Sequence, residues 1–592
     1  MIHFKFSPQD NRYLFLKGDD KKDEENLVLL KDYLNQVSPI CYLPNFKGEK
    51  FTEDFLFDYV QPSGQKVYWC SVGLWQNIYK WLKKNEIEFD GLVENKGLFK
   101  LKPKHSFEEF VKIVDSWNLK YKPRPYQYSY AYEILQWKMS ISELATRAGK
   151  TMLAYIVFRY AMEHMGVKNI LMIVPSIDLV KQGYNDFKEY AEFFNTECVW
   201  AGGKLVESSN LTIGTFQSLI KFLDKKSQKY NPSFYDKFDM VFVDETHRAK
   251  ANQIKTIISH DFMKKIKIRF GMTGTVPKEG TIDNFCIHSL LGAKIQTIKP
   301  IELMEGGYIS KVHITQVNLQ YKASIERKEL FIKCAEYALG ETVFEQHPKN
   351  PKKKVAVKLD KPEFLIQYKK TYPEGVVLAK QSLMRQFGND KNRFLDEYIK
   401  LLKKFISEKN GTNLLMIEKM MSHLCKERID FLCDRIIPVC PNNMLILAHH
   451  TNYINHLTEI IKERFPDRNI DVITGSVDAK RRDEIKKMIK ENNNCILIAS
   501  YGCVGTGITL SNLCYGVLFE SFKSDVINLQ SVGRGLGLKN FGDDRDNNYE
   551  LYDIIDSFSH KIGGMRIAGQ GKEKIKIYEE NSFDYAIKNY NV

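Results

Sequence analysis

The chain has 592 residues, 43% of them hydrophobic and 27% charged, which at roughly 150 residues a domain predicts three or four globular domains. No apolar run approaches the ~18 residues of a membrane span, and the start lacks a secretory signal, so we expect a cytoplasmic protein without membrane contact. The 11 cysteines contain no CxxC pair, which argues against a zinc or disulfide framework, and the net charge of +14 favours a polyanionic partner.

Residues 1–105 combine short strand-like runs (HFKF, RYLFLK, KVYWC) with an amphipathic helix, SVGLWQNIYKWLKKNEI. This pattern predicts a small α+β domain. Trp75, Tyr79 and Trp81 form a stripe along the helix. Such a stripe either stacks on bases or packs into a core, and we favour the core because aromatic residues at helical spacing are usually buried.

From 106 to 312, buried β runs alternate with helices, which is typical of a parallel sheet wrapped by helices. The runs ILMIVP, LTIGT, MVFVDE and RFGMTGT each end in small or polar residues. In an open α/β sheet, ligands bind at these strand ends. We therefore expect the chemistry of this domain at the carboxyl edge of its sheet.

The segment SELATRAGKT, residues 142–151, lies between two predicted helices and ends on the Gly-Lys-Thr of a phosphate-binding loop. Backbone N–H groups at the second helix would face the phosphates, Lys150 would reach the β and γ oxygens, and the Thr151 hydroxyl would complete a magnesium shell. The loop departs from the GxxxxGK[ST] pattern because Leu144 replaces its first glycine. Its candidate nucleotide-binding residues are Thr146, Arg147, Ala148, Gly149, Lys150 and Thr151.

A carboxylate pair, Asp244 and Glu245, follows the buried run MVFV and lies 94 residues beyond Lys150. One carboxylate at a strand end can hold Mg²⁺ through water, and the next can polarise an attacking water. Alone, an Asp-Glu pair after a strand says little. Together with the Gly-Lys-Thr loop, it predicts an NTP-hydrolysing site.

Four further motifs are expected at the same edge. Gln127 in RPYQ either reads an adenine edge or is a polar residue at a helix N-terminus. VPSIDLVKQ and TIGTFQSL offer hydroxyl, amide and N–H groups that suit a phosphodiester backbone without reading its sequence. GMTGTVP places Thr273 and Thr275 at another strand end.

Residues 313–440 are less regular and predict a helical linker, in which a strand candidate, HITQVNLQY, precedes amphipathic helices such as NRFLDEYIKLLKKFI. Residues 441–592 return to alternating strands and helices, with MLILAHH, CILIASYG and GVLFES as strands. In the helical run NLQSVGRGLGLK, the Arg534 guanidinium can reach phosphate across an interface, as arginine fingers do.

In this order, the motifs resemble those of the superfamily-two helicases, and most closely those of the UvsW-like type of T-even bacteriophages. The resemblance is carried by RPYQ, LATRAGKT, VPSIDLVKQ, TIGTFQSL, VDETH, GMTGT, ASYGCVGTGI, QSVGRG and the tail KEKIKIYEENSFDY. It runs from about Arg124 to the C-terminus. It implies an α/β fold of two RecA-like parallel-sheet domains in tandem, with a small N-terminal nucleic-acid-binding α+β domain and a helical linker.

The resemblance also implies roles for single residues, with ATP and Mg²⁺ as cofactors. Arg124 and Gln127 would lie at the adenine, and Thr151 with Asp244 at the magnesium. Lys150 would bind the phosphates and Glu245 would orient the water. The second domain would contribute Gln530 and Arg534 to ATP, Thr273 and Thr275 would couple hydrolysis to domain closure, and the nucleic-acid track would comprise Pro175, Ser176, Thr215, Gly475 and Thr506.

Two positions depart from the family pattern. Arg147 stands where relatives carry a small residue and either adds a phosphate contact or points outward. Gly537 stands at the last arginine of QxxGRxxR, a group that normally stabilises the transition state. The implied activity is that of an ATP-dependent DNA helicase or translocase that acts on branched or double-stranded DNA in phage-type replication, recombination and repair, in the host cytoplasm. The alternatives are a nucleotide-gated nucleic-acid clamp with weak ATPase activity, which Gly537 motivates, and an RNA helicase.

Overall fold

The computed structural model describes residues 1–6, 13–38, 41, 50–91, 100–199, 209–246, 252–266, 268–347, 350–358, 368–409, 413–504, 510, 512–521, 525–537 and 547–592. The chain separates into two compact units, Met1–Lys299 and Pro300–Val592. Among the helices of the described ranges, none is long and apolar enough to cross a membrane.

The first unit opens with a small α+β module. Its elements are β1 (Ile2–Phe6), β2 (Tyr13–Gly18), α1 (Lys21–Leu34), β3 (Gln36–Val37), β4 (Thr52–Glu53), β5 (Leu56–Val60), β6 (Lys66–Ser71), α2 (Trp75–Lys84) and β7 (Phe89–Asp90). The main sheet has the strand order β5-β6-β2-β1-β7. Helix α1 begins at a capping box between Asp20 and Asp23 and buries Leu27, Leu30 and Leu34.

The rest of the first unit is a parallel α/β sheet. Its elements are α3 (Phe107–Ser116), α4 (Pro125–Ile134), β8 (Met139–Leu144), α5 (Lys150–His164), β9 (Ile170–Val174), α6 (Ile177–Tyr190), β10 (Thr196–Val199), β11 (Leu211–Thr215), α7 (Phe216–Leu219), β12 (Met240–Asp244), α8 (Asn252–Ile258), β13 (Ile268–Thr273), α9 (Ile282–Leu291) and β14 (Ala293–Ile298). The described strands pair in parallel in the order β10-β11-β9-β12-β13-β8-β14. β9 and β11 are buried along their whole length, as central strands covered on both faces must be.

The N-terminal module and this sheet share one hydrophobic core. Phe285 of α9 contacts Tyr33 and Phe55 of the module, with ring centroids 5.2 and 5.8 Å apart. Trp75 stacks on Trp137, which precedes β8, at 6.4 Å. The aromatic stripe of α2 packs against this core, in agreement with the core interpretation of its sequence.

The second unit contains another parallel sheet and a helical layer. Its elements are α10 (Pro300–Glu305), β15 (Lys311–Tyr321), α11 (Ile325–Leu339), β16 (Glu341–Thr342), β17 (Phe344–His347), β18 (Asn350–Ala356), β19 (Lys370–Thr371), α12 (Glu374–Phe387), α13 (Lys391–Glu408), α14 (Leu414–Leu424), α15 (Lys426–Phe431), β20 (Met444–Ala448), α16 (Thr451–Arg464), β21 (Asn469–Ile473), α17 (Ala479–Glu491), β22 (Cys495–Ser500), α18 (Tyr501–Val504), β23 (Tyr515–Leu518), α19 (Asp525–Gly535), β24 (Asn548–Phe558), α20 (Arg566–Glu580) and β25 (Asp584–Asn591). The described strands of the large sheet pair in parallel in the order β21-β22-β20-β23-β24-β15-β25. The predicted fold class, an α/β chain with two parallel-sheet domains in tandem, is confirmed.

Strand β15 belongs to a different part of the fold from the one that the sequence predicts. We expected residues 313–321 in the helical linker, but β15 belongs to the second sheet, where it pairs with β24 from Lys311↔Asn548 to Tyr321↔Phe558. An alternating run indicates a strand but does not reveal a partner more than two hundred residues away. The four-domain division at 105, 312 and 440 stays a prediction.

The helices of residues 374–431 pack onto the same core as this sheet. Helix α13 turns an apolar face inward, as its sequence predicts, with Leu395, Tyr398, Ile399, Leu402 and Ile406 buried. The helical segment that follows α13 is interrupted at Cys425, between α14 and α15. It ends in a π-helical turn, Leu432–Ile436. The linker therefore contributes core to the second unit rather than standing apart from it.

Candidate nucleotide-binding site

Three loops of the first unit converge at the carboxyl ends of adjacent strands. The order β12-β13-β8 places the Asp244–Glu245 pair, the Thr273–Thr275 loop and the phosphate-loop candidate side by side. A Cβ built on Gly274 would lie 3.7 Å from the Leu144 carbonyl oxygen, so the loop after β13 lies against the start of the phosphate loop. The sequence motifs, which are up to 130 residues apart along the chain, thus occupy one edge.

The phosphate loop turns sharply into α5 through two left-handed residues. Gly149, the residue that precedes α5, has φ 73° and ψ 42°, and Arg147 has φ 68°. A side chain at position 149 would also collide with the Gln127 amide, because its Cβ would lie 2.4 Å from Nε2. Arg147 is half-buried, and burial lowers the pKa of its guanidinium. This burial favours a side chain turned into the protein over one directed at solvent.

Gln127 supports the phosphate loop with its whole side-chain amide. Its Nε2 donates to the carbonyl oxygens of Ala148 and Gly149 at 3.2 and 3.1 Å, and its Oε1 accepts from the Arg124 backbone N–H at 2.8 Å. The residue is 3% exposed. Both groups of the amide are therefore engaged at the start of α4 and in the loop, and its predicted role at the adenine stays a prediction.

Arg124, which precedes α4, and Tyr126, in its first turn, also bind the phosphate loop. Arg124 Nη1 donates to the Arg147 carbonyl oxygen at 3.0 Å and to the Tyr126 hydroxyl at 2.9 Å. Tyr126 in turn donates to the Ala148 carbonyl oxygen at 2.6 Å. The sequence motif RPYQ thus acts as a support for the backbone of the loop. Tyr126, which sequence reasoning missed, lies within that motif.

Lys150 and Glu245 form an ion pair across the site. The Lys150 Nζ lies 3.0 Å from Glu245 Oε1, and both side chains are about four-fifths buried, at 18% and 21% exposure. Glu245 has φ 52°, a left-handed conformation, and its N–H donates to Asp244 Oδ1 at 2.9 Å. The strained backbone directs the two successive carboxylates to different partners.

Thr151 meets an acidic residue of the neighbouring helix. Asp186 of α6 has its pKa raised to about 6 by burial, and hydrogen bonds from Gln182 and Thr151 partly oppose the rise. Gln182 Nε2 donates to Asp186 Oδ2 at 3.5 Å. Thr151 thus contacts a carboxyl group that the sequence did not mark, and its predicted place in a magnesium shell stays a prediction.

Glu143 joins the strand before the phosphate loop to the loop after β13. Its Oε1 accepts from the Val276 backbone N–H at 2.9 Å, and its Oε2 accepts from Lys294 Nζ at 2.7 Å. Within the β13 loop, the Thr273 hydroxyl donates to the Thr275 carbonyl oxygen at 3.0 Å and accepts from its N–H at 3.3 Å. Sequence reasoning missed Glu143, although a carboxylate at the end of a buried strand was a usable signal.

A hydrogen-bond chain continues from this loop into the N-terminal module. Asn284 Nδ2 donates to the Pro277 carbonyl oxygen at 2.8 Å, and Asn77 Nδ2 of α2 donates to Asn284 Oδ1 at 2.8 Å. Both asparagines are 4% exposed. The loop that contains Thr273 and Thr275 is therefore fixed on one side by Glu143 and on the other by the module.

The predicted nucleic-acid residues of the first unit lie at neighbouring strand ends. Ser176 and Pro175 follow β9, Thr215 ends β11, and the register places Thr215 opposite Val174. Ser176 begins α6 by accepting from the Leu179 N–H at 3.4 Å, while the buried Thr215 hydroxyl donates to Ser218 at 3.0 Å. In the second unit, Gly475 is exposed after β21, and Thr506 lies outside the described residues.

The residues predicted to reach ATP from the second unit lie on α19. The structure places Gln530 and Arg534 in this helix, and their side chains fall outside its description. Gly537 follows α19 and is buried, and its carbonyl oxygen accepts from the Ser310 hydroxyl at 3.0 Å. The catalytic roles of these positions stay predictions.

Comparisons with known proteins agree with the order of the motifs. The family model described as "Type III restriction enzyme, res subunit" matches residues 120–278, and the "Helicase conserved C-terminal domain" matches residues 427–536. The curated ATP-dependent DNA helicase uvsW of Enterobacteria phage T4 is 22% identical over 508 residues, which cover 82% of this chain and 81% of that protein.

Among solved structures, that of T4 UvsW is 18% identical and covers 100% of this chain and 99% of its own, with a TM-score of 0.39. The helicase domain of Pyrococcus furiosus Hef is 13% identical and covers 76% of this chain and 98% of its own, with a TM-score of 0.42. The two family models match on either side of the boundary between the units, and the curated relative matches across it. With its phosphate loop, carboxylate pair and tandem parallel sheets, the chain is similar to the superfamily-two helicases over most of its length.

Proposed function

We propose that the chain is an ATP-dependent DNA helicase or translocase that hydrolyses ATP with Mg²⁺ and remodels branched or double-stranded DNA. The observation that carries this proposal is the Lys150–Glu245 ion pair, which closes a phosphate loop against a strand-end carboxylate pair. A phosphate-binding cation and a candidate base within 3.0 Å of each other are the two groups that hydrolysis of a γ-phosphate requires.

The donor set fits a magnesium nucleotide. The N-terminus of α5 offers backbone N–H groups, Lys150 offers an ammonium group, and Thr151 and Asp244 offer the hydroxyl and carboxylate oxygens that Mg²⁺ prefers. When bound, Mg²⁺ neutralises charge on the phosphate oxygens. Lys150 would then exchange its contact with Glu245 for one with phosphate.

Glu245 gains its role from that exchange. In the ion pair its carboxylate is held by the ammonium group of Lys150. Once Lys150 turns to phosphate, Glu245 is released to orient a water and accept its proton. Its neighbour Asp244 stays close to the strand end through the bond to the Glu245 N–H. The two carboxylates thus divide metal binding and base catalysis between them.

The nucleic-acid contacts would follow the strand ends beyond the nucleotide. The Ser176 hydroxyl and the N–H groups at the start of α6 are suited to phosphodiester oxygens, which carry no sequence information. Binding of this kind falls steeply with salt, and the net charge of +14 supports it. DNA as the strand is proposed from the likeness to the T4 DNA helicase. A branched substrate, phage-type recombination and a host-cytoplasmic location are proposed from the resemblance of the motifs to those of UvsW-like helicases.

ATP turnover with and without DNA tests the proposal. We expect DNA to stimulate wild-type turnover, and Lys150→Ala or Glu245→Gln to lower the stimulated rate by about a hundredfold or more. Glu245→Gln keeps the ammonium partner and should still bind nucleotide. Lys112→Ala, an exposed lysine of α3, serves as the matched control and should leave turnover unchanged. Equal turnover by wild type and both site variants would overturn the proposal.

A further inference from the structure

Of the residues of this module that the structure describes, those of α1 cover one face of the N-terminal sheet, and the other face carries partly exposed side chains. Along β2, Leu14 and Leu16 are 0% exposed and belong to the core under α1. Because side chains alternate along a strand, Tyr13 and Phe15 point to the opposite side. Both are half-buried there.

Aromatic residues occupy the uncovered side across three adjacent strands. The register places Phe15 opposite Trp69 and Trp69 opposite Phe57, so three rings form a row across β2, β6 and β5. Phe57 stacks on Trp69 with ring centroids 4.7 Å apart, and Tyr13 meets Trp69 edge-on at 5.2 Å. We call the set the aromatic face, and it consists of Tyr13, Phe15, Phe57, Tyr59 and Trp69.

The outer rings of the aromatic face are open to solvent. Phe57 is 39% exposed and Tyr59 is 44% exposed, although both lie within a regular strand. Phe57 and Tyr59 do not fill the core of the module, because the residue of β5 that is buried there is Leu56, at 0% exposure. Grouped exposed aromatic side chains of this kind indicate a binding surface.

Basic residues border the aromatic face. The register places Lys5 of β1 opposite Phe15, and Lys17 lies two residues further along β2, opposite His3. Both lysines are exposed. Two carboxylates near this edge, Asp19 and Asp90, are hydrogen-bonded to the His3 ring at 2.7 and 2.6 Å. The cations therefore lie beside the rings, and the nearby acidic groups are engaged by histidine.

We propose that the aromatic face binds single-stranded nucleic acid, with bases stacked on Phe57, Tyr59 and Trp69 and phosphates near Lys5 and Lys17. A sheet that presents aromatic rings beside basic residues suits this ligand, because every base has a π-face and every linkage a negative charge. A duplex hides its bases in its own stack and cannot use the rings. The inference depends on the proposed function in one respect, namely that the bound strand is DNA.

Binding of oligonucleotides to the full chain tests the inference. The probes are a fluorescent oligothymidylate of about 20 nucleotides and an abasic oligomer of the same length, which keeps the phosphates and lacks the bases. We expect the double variant Phe57→Ala/Tyr59→Ala to bind oligothymidylate at least about fivefold more weakly, with unchanged affinity for the abasic oligomer. Val60→Ala, which changes an exposed residue of β5 on its other face, is the matched control.

Photo-cross-linking of wild-type protein gives a second readout that does not depend on a variant. Oligonucleotides with 5-iodouracil should cross-link to Phe57, Tyr59 or Trp69. Unchanged affinity of the double variant, or equal losses for both probes, would overturn the inference; a protein partner would then be the better occupant. DNA-stimulated ATP turnover, measured on duplex with the same variants, separates this outcome from failure of the proposed function, in which the wild type itself would show no stimulation.

Discussion

Gln127 belongs to a motif that suggests a contact with adenine, but in the structure its side chain contacts the protein backbone. The sequence left two interpretations open, an adenine reader or a polar residue at a helix N-terminus. The structure uses the amide for the start of α4 and for two carbonyl oxygens of the phosphate loop. A buried amide with both ends engaged would have to leave these partners to read a base.

We therefore expect Gln127→Ala to weaken ATP and GTP binding by a similar factor, about tenfold, because it removes one donor from each of two loop carbonyl groups. Gln127→Glu is the matched variant, since it keeps the acceptor for the Arg124 N–H and loses the donors. Nucleotide titrations of the three proteins give the answer. A loss confined to ATP, with GTP binding unchanged, would instead support contact between Gln127 and adenine.

The sequence predicts the roles of Lys150, Asp244 and Glu245 because each of these residues lies in a short local motif whose chemistry is known. Glu143, Asn284 and Asn77 carried no such pattern. Their partners are set by which strands and helices become neighbours, and those contacts join residues far apart along the chain. Side chains that position a loop are therefore harder to predict than those that touch a ligand.

At the scale of elements, Glu143 connects β8 to the loop after β13. We expect Glu143→Ala to lower the ATP turnover number about tenfold while ATP affinity stays within about twofold, because the variant frees the loop without touching the nucleotide. Lys294→Met is the matched control, since it removes the cation and leaves the acceptor for the Val276 N–H. Steady-state kinetics with separate nucleotide titrations distinguish the two effects.

A change in ATP affinity equal to the change in turnover would contradict this role and would make Glu143 a structural support of the phosphate loop alone. Glu143→Gln adds a further control because it keeps an oxygen for the loop. Its turnover should lie between those of wild type and Glu143→Ala.

Helix α9 makes the first unit sensitive to acid. Burial, with the nearby Lys80 and Lys294, lowers the pKa of His288 to about 4, and the side chain is 5% exposed. In the unfolded chain the His288 imidazole takes up a proton near pH 6.5, whereas in the folded chain it stays neutral down to about pH 4. The stability of the first unit is therefore unaffected by this residue above pH 6.5 and decreases as the pH falls from 6.5 towards 4. We expect the first unit to lose about 2 kcal/mol of stability at pH 5 through this residue.

Urea unfolding at pH 7.5 and pH 5.0 measures the effect. All six tryptophans lie in the first unit, so their fluorescence reports on that unit alone. His288→Leu should reduce the difference between the two pH values, while His560→Leu, an exposed histidine of the second unit, should not. An unchanged difference in His288→Leu would show that other groups cause the acid sensitivity.

At the scale of the whole molecule, alternation of buried strands and helices was enough to predict two parallel sheets. It was not enough to predict their edges. Strand β15 joins β24 and β25 although more than two hundred residues separate it from either, and periodicity within a strand is the same whichever sheet receives it. For the same reason the sequence suggested a separate N-terminal domain, whereas the module and the first sheet share one core.

That shared core changes the expected role of the first hundred residues. The module holds the loop of Thr273 and Thr275 through Asn77 and Asn284, so it is a structural part of the ATPase unit. A strand bound on the aromatic face would contact the same unit that contains the candidate nucleotide site. The candidate nucleotide site and the aromatic face therefore belong to the same compact unit.

Strand separation on forked DNA, followed together with ATP turnover in the same reaction, tests whether this chain uses ATP hydrolysis to move DNA strands. We expect the wild type to separate or migrate the fork only with ATP and Mg²⁺, and Glu245→Gln to bind both ligands without moving the strands. A non-hydrolysable ATP analogue should likewise support binding and no movement. Fork binding that responds to nucleotide without measurable turnover or strand movement would contradict the account and favour a nucleotide-gated clamp.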